Sequence, residues 1–539
     1  MGENAEKRAW RSAALLSPLF CLAAYYTWKI DALDRSGLLT AGPLFSLEDL
    51  PIAALLSAAA VPLVRKALLM GASRSFLPGK GHLPPFWGGT LFLFLLWLPV
   101  LLVFYPAAGM NDTVYMMENP LKGSIQFPWA PTLFWGMGVR LGEMAAGTRE
   151  PFIFAAVFLQ MMVMAAGLSW AARAAARLSR HPWAAWALLL YFGLFPMCGN
   201  YAAAAVRDPL YSLALLGWTL ILARAAVTGK GSSLFLTGAC FAALMLLRSN
   251  GLYVSLLLAA AFMILVKREA KKTALLFLAF AALAVFPGKM ILHSIGEEPL
   301  FQEAAAIPLQ QAGRVLVTGG AMDEDMKELL VSYLPEEQWE KGYSPYTVDF
   351  IKWDPVFRHD RMTGTKGAFL AGWIRTGLAN PGIYLTGWMT ETYALWNLDP
   401  LEHQVQSRFG WALTDENTAH MEPADNDRLA AGPLPLPSWL KAAAAWYSFE
   451  GSRFLGAGFS LWITIFLGAL FYVKGEKRLM ACCLPLWANG ATLLVSTPAS
   501  AVFRYSFAFV LILPVLLILA AGSGAGTEGI KKTIQEDGK

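Results

Sequence analysis

The feature that most constrains this chain is a succession of apolar runs separated by short loops. About twelve of them reach or approach the roughly 17 to 22 residues that a helix needs to cross a bilayer. They cover residues 12–28, 50–64, 86–105, 151–172, 182–199, 206–226, 234–247, 252–266, 273–292, 454–473, 480–496 and 502–521. Only 15% of the residues are charged, whereas soluble domains carry roughly a quarter. The pattern predicts an all-α polytopic membrane protein.

The distribution of basic residues predicts the orientation of the chain, because lysine and arginine in short loops favour the cytoplasmic side. With a cytoplasmic N-terminus, the loops on that side carry Lys7, Arg8 and Arg11; Arg65, Lys66, Arg74 and Lys80; Arg173, Arg177 and Arg180; Lys267, Arg268, Lys271 and Lys272; Lys474, Lys477 and Arg478; and Lys531 and Lys532. The segment 131–146 is short and charged, so a helix lying at the interface is expected there. We expect a multi-pass protein of the cell membrane with both termini in the cytoplasm.

One long region, residues 293–450, contains no convincing membrane span. It holds 22 acids and 11 bases, so it is acidic although the whole chain has a net charge of +5. Amphipathic helices are expected at 300–317 and 323–334, and the more apolar segment 369–396 is expected to pack towards the membrane. We interpret the region as a mainly helical extracytoplasmic domain inserted before the last three helices.

The predicted organisation has five parts. They are an N-terminal helix pair with a cytoplasmic loop (1–85), a transmembrane module (86–292) with a first external loop (106–150), the extracytoplasmic domain (293–450), three C-terminal transmembrane helices (451–521) and a cytoplasmic tail (522–539).

Composition also argues against two classes of protein. No run of lysine and arginine lies beside an aromatic strand pattern, so nucleic-acid binding is not expected. The cysteines lie in or at the ends of apolar runs without metal-ligand spacing, which predicts buried thiols and neither a disulfide framework nor a zinc site. These cysteines are Cys21, Cys198, Cys240, Cys482 and Cys483.

Polar residues gather in four turns that the predicted topology sends to the outer side. They are Asp112 and Glu118; Asn200, Arg207 and Asp208; Arg248 and Asn250; and Ser496, Thr497, Arg504 and Tyr505. Each has an ordinary interpretation. A terminal arginine can reach lipid phosphate, a loop acid can be solvated, and Arg207 and Asp208 can pair with each other or cap the following helix. Together, acids and arginines suit a site that activates a hydroxyl and holds a phosphate.

Several of these segments carry a resemblance to a known superfamily. The stretch GMNDTVYMMENPLKGSIQFPWAPTLFWGMGVRLG resembles the first external loop of the GT-C membrane glycosyltransferases, in which an aspartate follows a helix and a proline-led segment opens a juxtamembrane helix. VRDPLYS resembles the superfamily's basic-residue–Asp pair. Pieces similar to those of a prokaryotic multi-spanning branch are LLRSNGLY, FRYSF, IPLQQAGRVL with YSPYTVDFIKWDP, and NPGIYLTGWMTETYALWNLDP. The resemblance extends from about residue 86 onwards.

The resemblance implies a GT-C-like bundle of about twelve helices and an enzyme of the outer face. Such an enzyme transfers a hexosyl or pentosyl group, with inversion, from a polyprenyl-phosphate donor to a hydroxyl of a cell-envelope glycan or lipid. Asp112 would be the general base, and Asp208 would orient an arginine or the acceptor. Arg207, Arg248 and Arg504 would bind the lipid phosphate. Further substrate contacts are expected from Glu118, Asn250 and Tyr505.

The chain departs from this pattern at one place. Relatives often carry His-His-Pro or His-Pro-Pro where this chain reads FPWAP, residues 127–131, so any substrate contact of that histidine is missing or reassigned. No dense carboxylate cluster demands a metal, and a divalent cation stays open as a cofactor because some related enzymes hold one through acids of the same loops.

Two other functions fit a polytopic protein of this composition. A transporter or flippase for a lipid-linked or anionic solute should show internal repeats, broken helices and ionisable residues near the middle of the bilayer. Here the middle of the apolar runs is almost entirely uncharged. A relative that binds lipid without catalysis would tolerate neutralisation of Asp112 and Asp208 together.

Overall fold

A computed structural model describes residues 3–40, 44–74, 79, 81–398, 412–414, 431–449, 455–496 and 502–523. Nearly all regular structure in these ranges is helical, and no strand occurs among them. Most of the predicted tail, residues 524–539, and Thr497 of the last polar turn lie outside the described residues. The all-α prediction is confirmed for the part of the chain that is described.

The first half of the chain forms the N-terminal pair and the transmembrane module. Its helices are α1 (Glu3–Arg35), α2 (Asp49–Ser73), α3 (Phe86–Val103), α4 (Asn111–Glu118), α5 (Trp129–Ala146), α6 (Glu150–Ser179), α7 (Pro182–Leu194), α8 (Pro196–Ala202), α9 (Asp208–Thr228), α10 (Leu234–Leu247), α11 (Gly251–Leu265) and α12 (Ala270–Ile295). Short 3₁₀ helices cover Lys122–Ile125 and Lys267–Glu269.

The second half forms the inserted region and the C-terminal helices. Its helices are α13 (Phe301–Ala304), α14 (Ala306–Val317), α15 (Glu324–Tyr333), α16 (Glu336–Gly342), α17 (Asp349–Lys352), α18 (His359–Gly364), α19 (Lys366–Ala379), α20 (Pro381–Glu391), α21 (Ser438–Phe449), α22 (Ala457–Lys474), α23 (Leu484–Ser496) and α24 (Ala508–Gly522). Further 3₁₀ helices cover Tyr393–Leu395, Lys477–Cys483 and Phe503–Ser506.

Nine helical segments of the described chain are long and apolar enough to cross a membrane. A tenth candidate is the pair α7 and α8, which bends by 65° between Leu194 and Pro196. The predicted runs at 234–247 and 252–266 form α10 and α11, which are apolar but have only 14 and 15 residues. The chain is therefore a helical membrane protein with at least nine candidate spans among the described residues, and the bent pair and the two short helices make up the other three of the twelve predicted runs.

The bundle is organised around α9, which is apolar on all sides. In its most apolar stretch 78% of the residues are buried, compared with 6% in the span that contains α12. Small residues let neighbouring helices approach α9 closely, because a Cβ at Gly167 on α6 would lie 2.6 Å from Leu213. In lipid, association depends on such close packing. The polar residues at the start of α9 are thereby fixed at the centre of one end of the bundle.

The inserted region has a hydrophobic core of its own. Leu309 on α14, Leu330 on α15, Trp339 on α16 and Phe369 on α19 are fully buried and pack together. The amphipathic helices expected at 300–317 and 323–334 are present as α13, α14 and α15. The segment between α12 and α22 thus includes a packed helical unit.

The loop between the two N-terminal helices contacts this inserted region through polar bonds. Arg314 Nη2 donates to the carbonyl of Leu39 at 2.6 Å, and the amide of Leu44 donates to Thr386 Oγ1 at 2.6 Å. Near the end of α1, Asp31 Oδ1 also accepts a hydrogen bond from Tyr393 Oη at 2.6 Å. These bonds fix the inserted region to the bundle.

All five cysteines are buried free thiols, as the sequence predicts. Their burial makes them poor targets for polar thiol reagents and leaves the wild-type chain usable as a background for labelling.

The predicted orientation can be tested with single cysteines at exposed positions. We expect Asn111→Cys and Glu340→Cys to react with a membrane-impermeant maleimide in intact cells, because the positive-inside pattern puts both outside. Lys267→Cys lies beyond the far end of α11 and should react only after permeabilisation. Labelling of all three from one side would contradict the topology.

Candidate functional site

Backbone hydrogen bonds join the first loop of the transmembrane module to the segment before α9. The amide of Ala108 donates to the carbonyl of Ala203 at 3.0 Å, and the amide of Ala205 donates to the carbonyl of Ala108 at 2.9 Å. Thr113 Oγ1 also donates to the carbonyl of Ala205. Since Asp112 precedes Thr113 and Arg207 follows Ala205 closely, these bonds bring the two charged side chains together.

Asp112 lies in the first turn of α4 and pairs with two arginines from other parts of the chain. Arg504 Nη1 donates to Asp112 Oδ2 at 2.6 Å, and Arg207 Nη2 lies 3.5 Å from the same oxygen. The Asp112 side chain is 23% exposed. Burial raises its pKa, but the charges of Arg504 and Arg207 outweigh burial and hold the pKa below its usual value. Asp112 is therefore ionised at neutral pH.

Asp208 and Arg248 form a second ion pair behind the first. Asp208 is the first residue of α9 and is fully buried, and its Oδ1 accepts a hydrogen bond from Arg248 Nη1. The Arg248 guanidinium lies between two aromatic rings, 4.4 Å from the centroid of Tyr505 and 5.6 Å from that of Tyr211. Asp208 fixes the position of this arginine.

The sequence also allowed an ordinary structural role in which Arg207 pairs with Asp208. This pair does not occur among the described ion pairs. Consecutive residues at the start of a helix point in different directions. Asp208 consequently meets Arg248 at the end of α10, while Arg207 meets Asp112 and stacks 4.6 Å from the ring centroid of Phe127. Phe127 is the first residue of the FPWAP segment, so this segment contacts the cluster through an aromatic ring stacked on Arg207.

Asn250 and Tyr505 close the same end of the bundle. Asn250 Nδ2 donates to Thr492 Oγ1 at 2.9 Å and to Asn489 Oδ1 at 3.3 Å, which joins the start of α11 to α23. Tyr505 Oη accepts a hydrogen bond from Arg504 Nη2 at 3.3 Å. Asn250 lies two residues from Arg248 and Tyr505 directly follows Arg504, so both are neighbours of the arginines.

The arginines of this cluster outnumber its carboxylates. In the ion pairs of the described residues, Arg207, Arg248 and Arg504 pair only with Asp112 and Asp208. The side chains of Arg207 and Arg504 are 12% and 10% exposed. Within the described chain, Nη1 of Arg207 and Nε of Arg504 are buried without a hydrogen-bond acceptor. Buried guanidinium donors are costly unless an anion or an ordered water accepts their hydrogen bonds, and the excess of positive charge favours an anion.

Asp112 and the three arginines line a cavity of about 250 Å³ and form its bundle wall. A second wall of the cavity comes from the inserted region and was not identified from the sequence. It consists of Glu303, Asp349, Lys352 and Trp353. The available signal was the polar and aromatic stretch TVDFIKWDP, but nothing in its spacing indicates which bundle residues it faces.

Two predicted site residues do not line this cavity. Glu118 lies at the end of α4 with an exposed side chain, about two turns from Asp112. Asp208 lies behind Arg248 and meets the cavity only through that arginine. Of the two predicted aspartates, Asp112 therefore lines the cavity, whereas Asp208 only positions Arg248.

An apolar groove of about 740 Å³ leads to the same arginine cluster. Its walls are α5, α6, α9 and α10, and lining residues include Phe134, Leu159, Leu213 and Leu246. Arg207 lines both the groove and the polar cavity. A long apolar chain in the groove would therefore end at a cationic site.

The cavity carboxylates do not fit a divalent metal. Glu303 and Asp349 share the ammonium of Lys352, and Asp112 is paired with arginines. No group of three or more metal-ligating side chains occurs in the described ranges. Since Mg²⁺ and Ca²⁺ prefer sites made mainly of oxygen ligands, no chemical step is assigned to a metal here.

Comparison with known families matches residues 115–532, which begin just after Asp112 and include all three arginines of the cluster. The chain belongs to the DUF6020 family. DUF6020 is described as a family of unknown function. No curated protein and no solved structure matches this DUF6020 chain.

The buried pair of Asp208 and Arg248 gives a testable effect on stability. Asp208→Asn should lower the free energy of unfolding by about 3 kcal/mol, the lower end of the range for a broken buried pair, because Arg248 borders the cavity and can be rehydrated in part. The measurement is unfolding of the purified protein in micelles.

The matched control is Asp323→Asn, which removes an exposed pair with Arg375 in the inserted region. Its effect should stay below about 1 kcal/mol. Equal stability of Asp208→Asn and wild type would contradict a structural role for the buried pair.

Proposed function

We propose that this protein is a GT-C-type glycosyltransferase that moves a sugar from a polyprenyl-phosphate donor to a hydroxyl acceptor on the outer face of the membrane. The observation that carries the proposal is the continuity of the apolar groove with the buried arginine excess at Arg207. A polyprenyl phosphate matches both features, because its long hydrocarbon chain suits the apolar groove and its phosphate anion suits the arginines. A cell-envelope glycan or lipid would provide the acceptor.

The arginines would bind the phosphate in the ground state and stabilise it as the leaving group. Arg207 and Arg504 have unused donors, and Arg248 is held by Asp208 and two aromatic rings. When the bond between the anomeric carbon and the phosphate oxygen breaks, negative charge grows on the phosphate. Guanidinium groups fixed around that oxygen stabilise this charge without reorganisation.

Asp112 would act as the general base. The acceptor hydroxyl attacks the anomeric carbon from the face opposite the phosphate, its proton passes to the Asp112 carboxylate, and the sugar inverts. In the free protein the arginines hold the pKa of Asp112 low, which makes the carboxylate a weak base. A bound phosphate would share the same arginines and so raise the basicity of Asp112 when the donor is in place.

A transporter or flippase is the second candidate, and one observation favours it. The break between α7 and α8 is a bend of 65° in an apolar pair, and broken helices are common in transporters. The ion pairs, however, lie at one end of the bundle. The two functions differ in outcome, because a flippase moves the lipid intact whereas a transferase releases bare polyprenyl phosphate.

The proposed base gives the most direct test of catalysis. Purified Asp112→Asn should retain the helical circular dichroism of the wild type and lose donor consumption, because the amide does not accept the proton. The assay follows a panel of polyprenyl-phosphate hexoses and pentoses with wild type and variant. Glu143→Gln, an exposed carboxylate on α5, is the control and should retain activity. Full activity of the Asp112→Asn variant would contradict the assignment of Asp112 as the general base.

The groove gives a test of donor binding. Ala239 lines the groove on α10, and Ala239→Trp should displace about two methylene groups of the chain, at about 0.8 kcal/mol each, and weaken donor binding roughly ten-fold. Ala54→Trp, an exposed position on α2, is the matched control and should bind as the wild type does. Unchanged affinity of Ala239→Trp would show that the hydrocarbon lies elsewhere.

A further inference from the structure

The two walls of the polar cavity differ in charge. The bundle wall carries Arg207, Arg248 and Arg504 with an excess of positive charge, whereas the wall from the inserted region carries two carboxylates and one ammonium. Among the described residues no ion pair connects the two walls. A ligand that fills the cavity therefore meets cations from the bundle and hydrogen-bond acceptors from the inserted region.

The acidic wall is held rigidly by a buried lysine. Lys352 Nζ lies 2.9 Å from Glu303 Oε1 and 3.0 Å from Asp349 Oδ1, and its side chain is only 2% exposed. The carboxylates themselves are about one third exposed and line the cavity. Lys352 thus fixes two acceptor groups from α13 and α17 without filling the space in front of them.

An aromatic ring lies beside these carboxylates. Trp353 lines the cavity, is 41% exposed, and directly follows Lys352, whose ammonium lies 5.5 Å from the centroid of the indole. Carboxylates accept strong hydrogen bonds from hydroxyl groups, and an indole offers a flat apolar surface. A sugar ring presents both complementary features, namely hydroxyl groups at its edge and C–H groups on its face.

We propose that Glu303, Asp349 and Trp353 form a subsite for the hydroxyl-bearing ring of a neutral sugar. This inference rests on the proposed function, because it puts the sugar of the donor between the arginine cluster and the inserted region. Lys352 acts as a positioning residue that holds both carboxylates. The inserted region, and not the bundle, determines which sugar is accepted.

The test compares binding of a bare polyprenyl phosphate with binding of polyprenyl phosphates that carry glucose, arabinose or an amino sugar. Full-length protein in nanodiscs is used, and the readout is the ratio of the two dissociation constants for each sugar. For the wild type we expect at least one neutral sugar to improve binding about ten-fold, which corresponds to about 1.4 kcal/mol.

The variants are Asp349→Asn, Glu303→Gln and Trp353→Leu. Each should reduce the sugar-dependent ratio towards one and leave the affinity for bare polyprenyl phosphate within about two-fold, because the arginine wall is unchanged. Trp353→Leu keeps the charges around Lys352, so it tests the subsite even where a carboxylate variant fails to fold. Glu337→Gln is the matched control, since Glu337 pairs with Lys341 on the exposed surface of the same region.

Each outcome decides the proposal. No sugar-dependent improvement with any neutral sugar, or an improvement that survives in all three variants, would overturn it. An improvement confined to the amino sugar would also overturn it, since the wall would then recognise a cation. If the neutral-sugar effect is present and lost in the variants but the wild type transfers no sugar, the subsite stands and the proposed transferase activity fails.

Discussion

The candidate site depends on one carboxylate that holds arginines from two distant parts of the chain. Asp112 pairs with Arg207 at the start of α9 and with Arg504, which lies 392 residues further along the sequence. The ion pairs thereby link the first loop of the module, its central helix and the last helix at one end of the bundle. Because this carboxylate serves two cations, the site retains the positive charge that an anionic ligand would neutralise.

The surroundings of the arginines divide into three environments. The groove that reaches Arg207 is apolar, the aromatic rings of Phe127, Tyr211 and Tyr505 lie close to the guanidinium groups, and the inserted region adds carboxylates to the same cavity. The proposed donor, an amphiphile with a hydrocarbon chain, a phosphate and a polar head, would meet a matching surface in each. Binding of such a donor would offset the cost of the buried charges at this end of the bundle.

The sequence predicted the helical membrane architecture because apolar length and composition are local properties. It also predicted a shared end for a group of polar residues, because span ends that are separated by an even number of crossings lie on the same side of a membrane. These residues are Arg207, Arg248, Asn250, Arg504 and Tyr505. The sequence predicted that Asp208 orients an arginine or the acceptor, but not that this arginine is Arg248, and it did not predict that Asp349 lines the same cavity as the arginines. Those contacts depend on the rotation of helices and the docking of the inserted region, which periodicity does not encode. Glu118 does not line the cavity, because it lies at the end of α4, about two turns from Asp112, with an exposed side chain.

The most direct measurement of the central claim compares the affinities of the wild type for a polyprenyl phosphate and for the uncharged polyprenol of the same length. Both ligands fill the groove equally, so their difference isolates the contribution of the phosphate. The account predicts that the phosphate binds at least ten-fold more tightly, about 1.4 kcal/mol, and that Arg207→Gln removes most of this difference while leaving polyprenol binding unchanged. Equal affinity of the wild type for both ligands would contradict the claim that the buried arginine excess is an anion site.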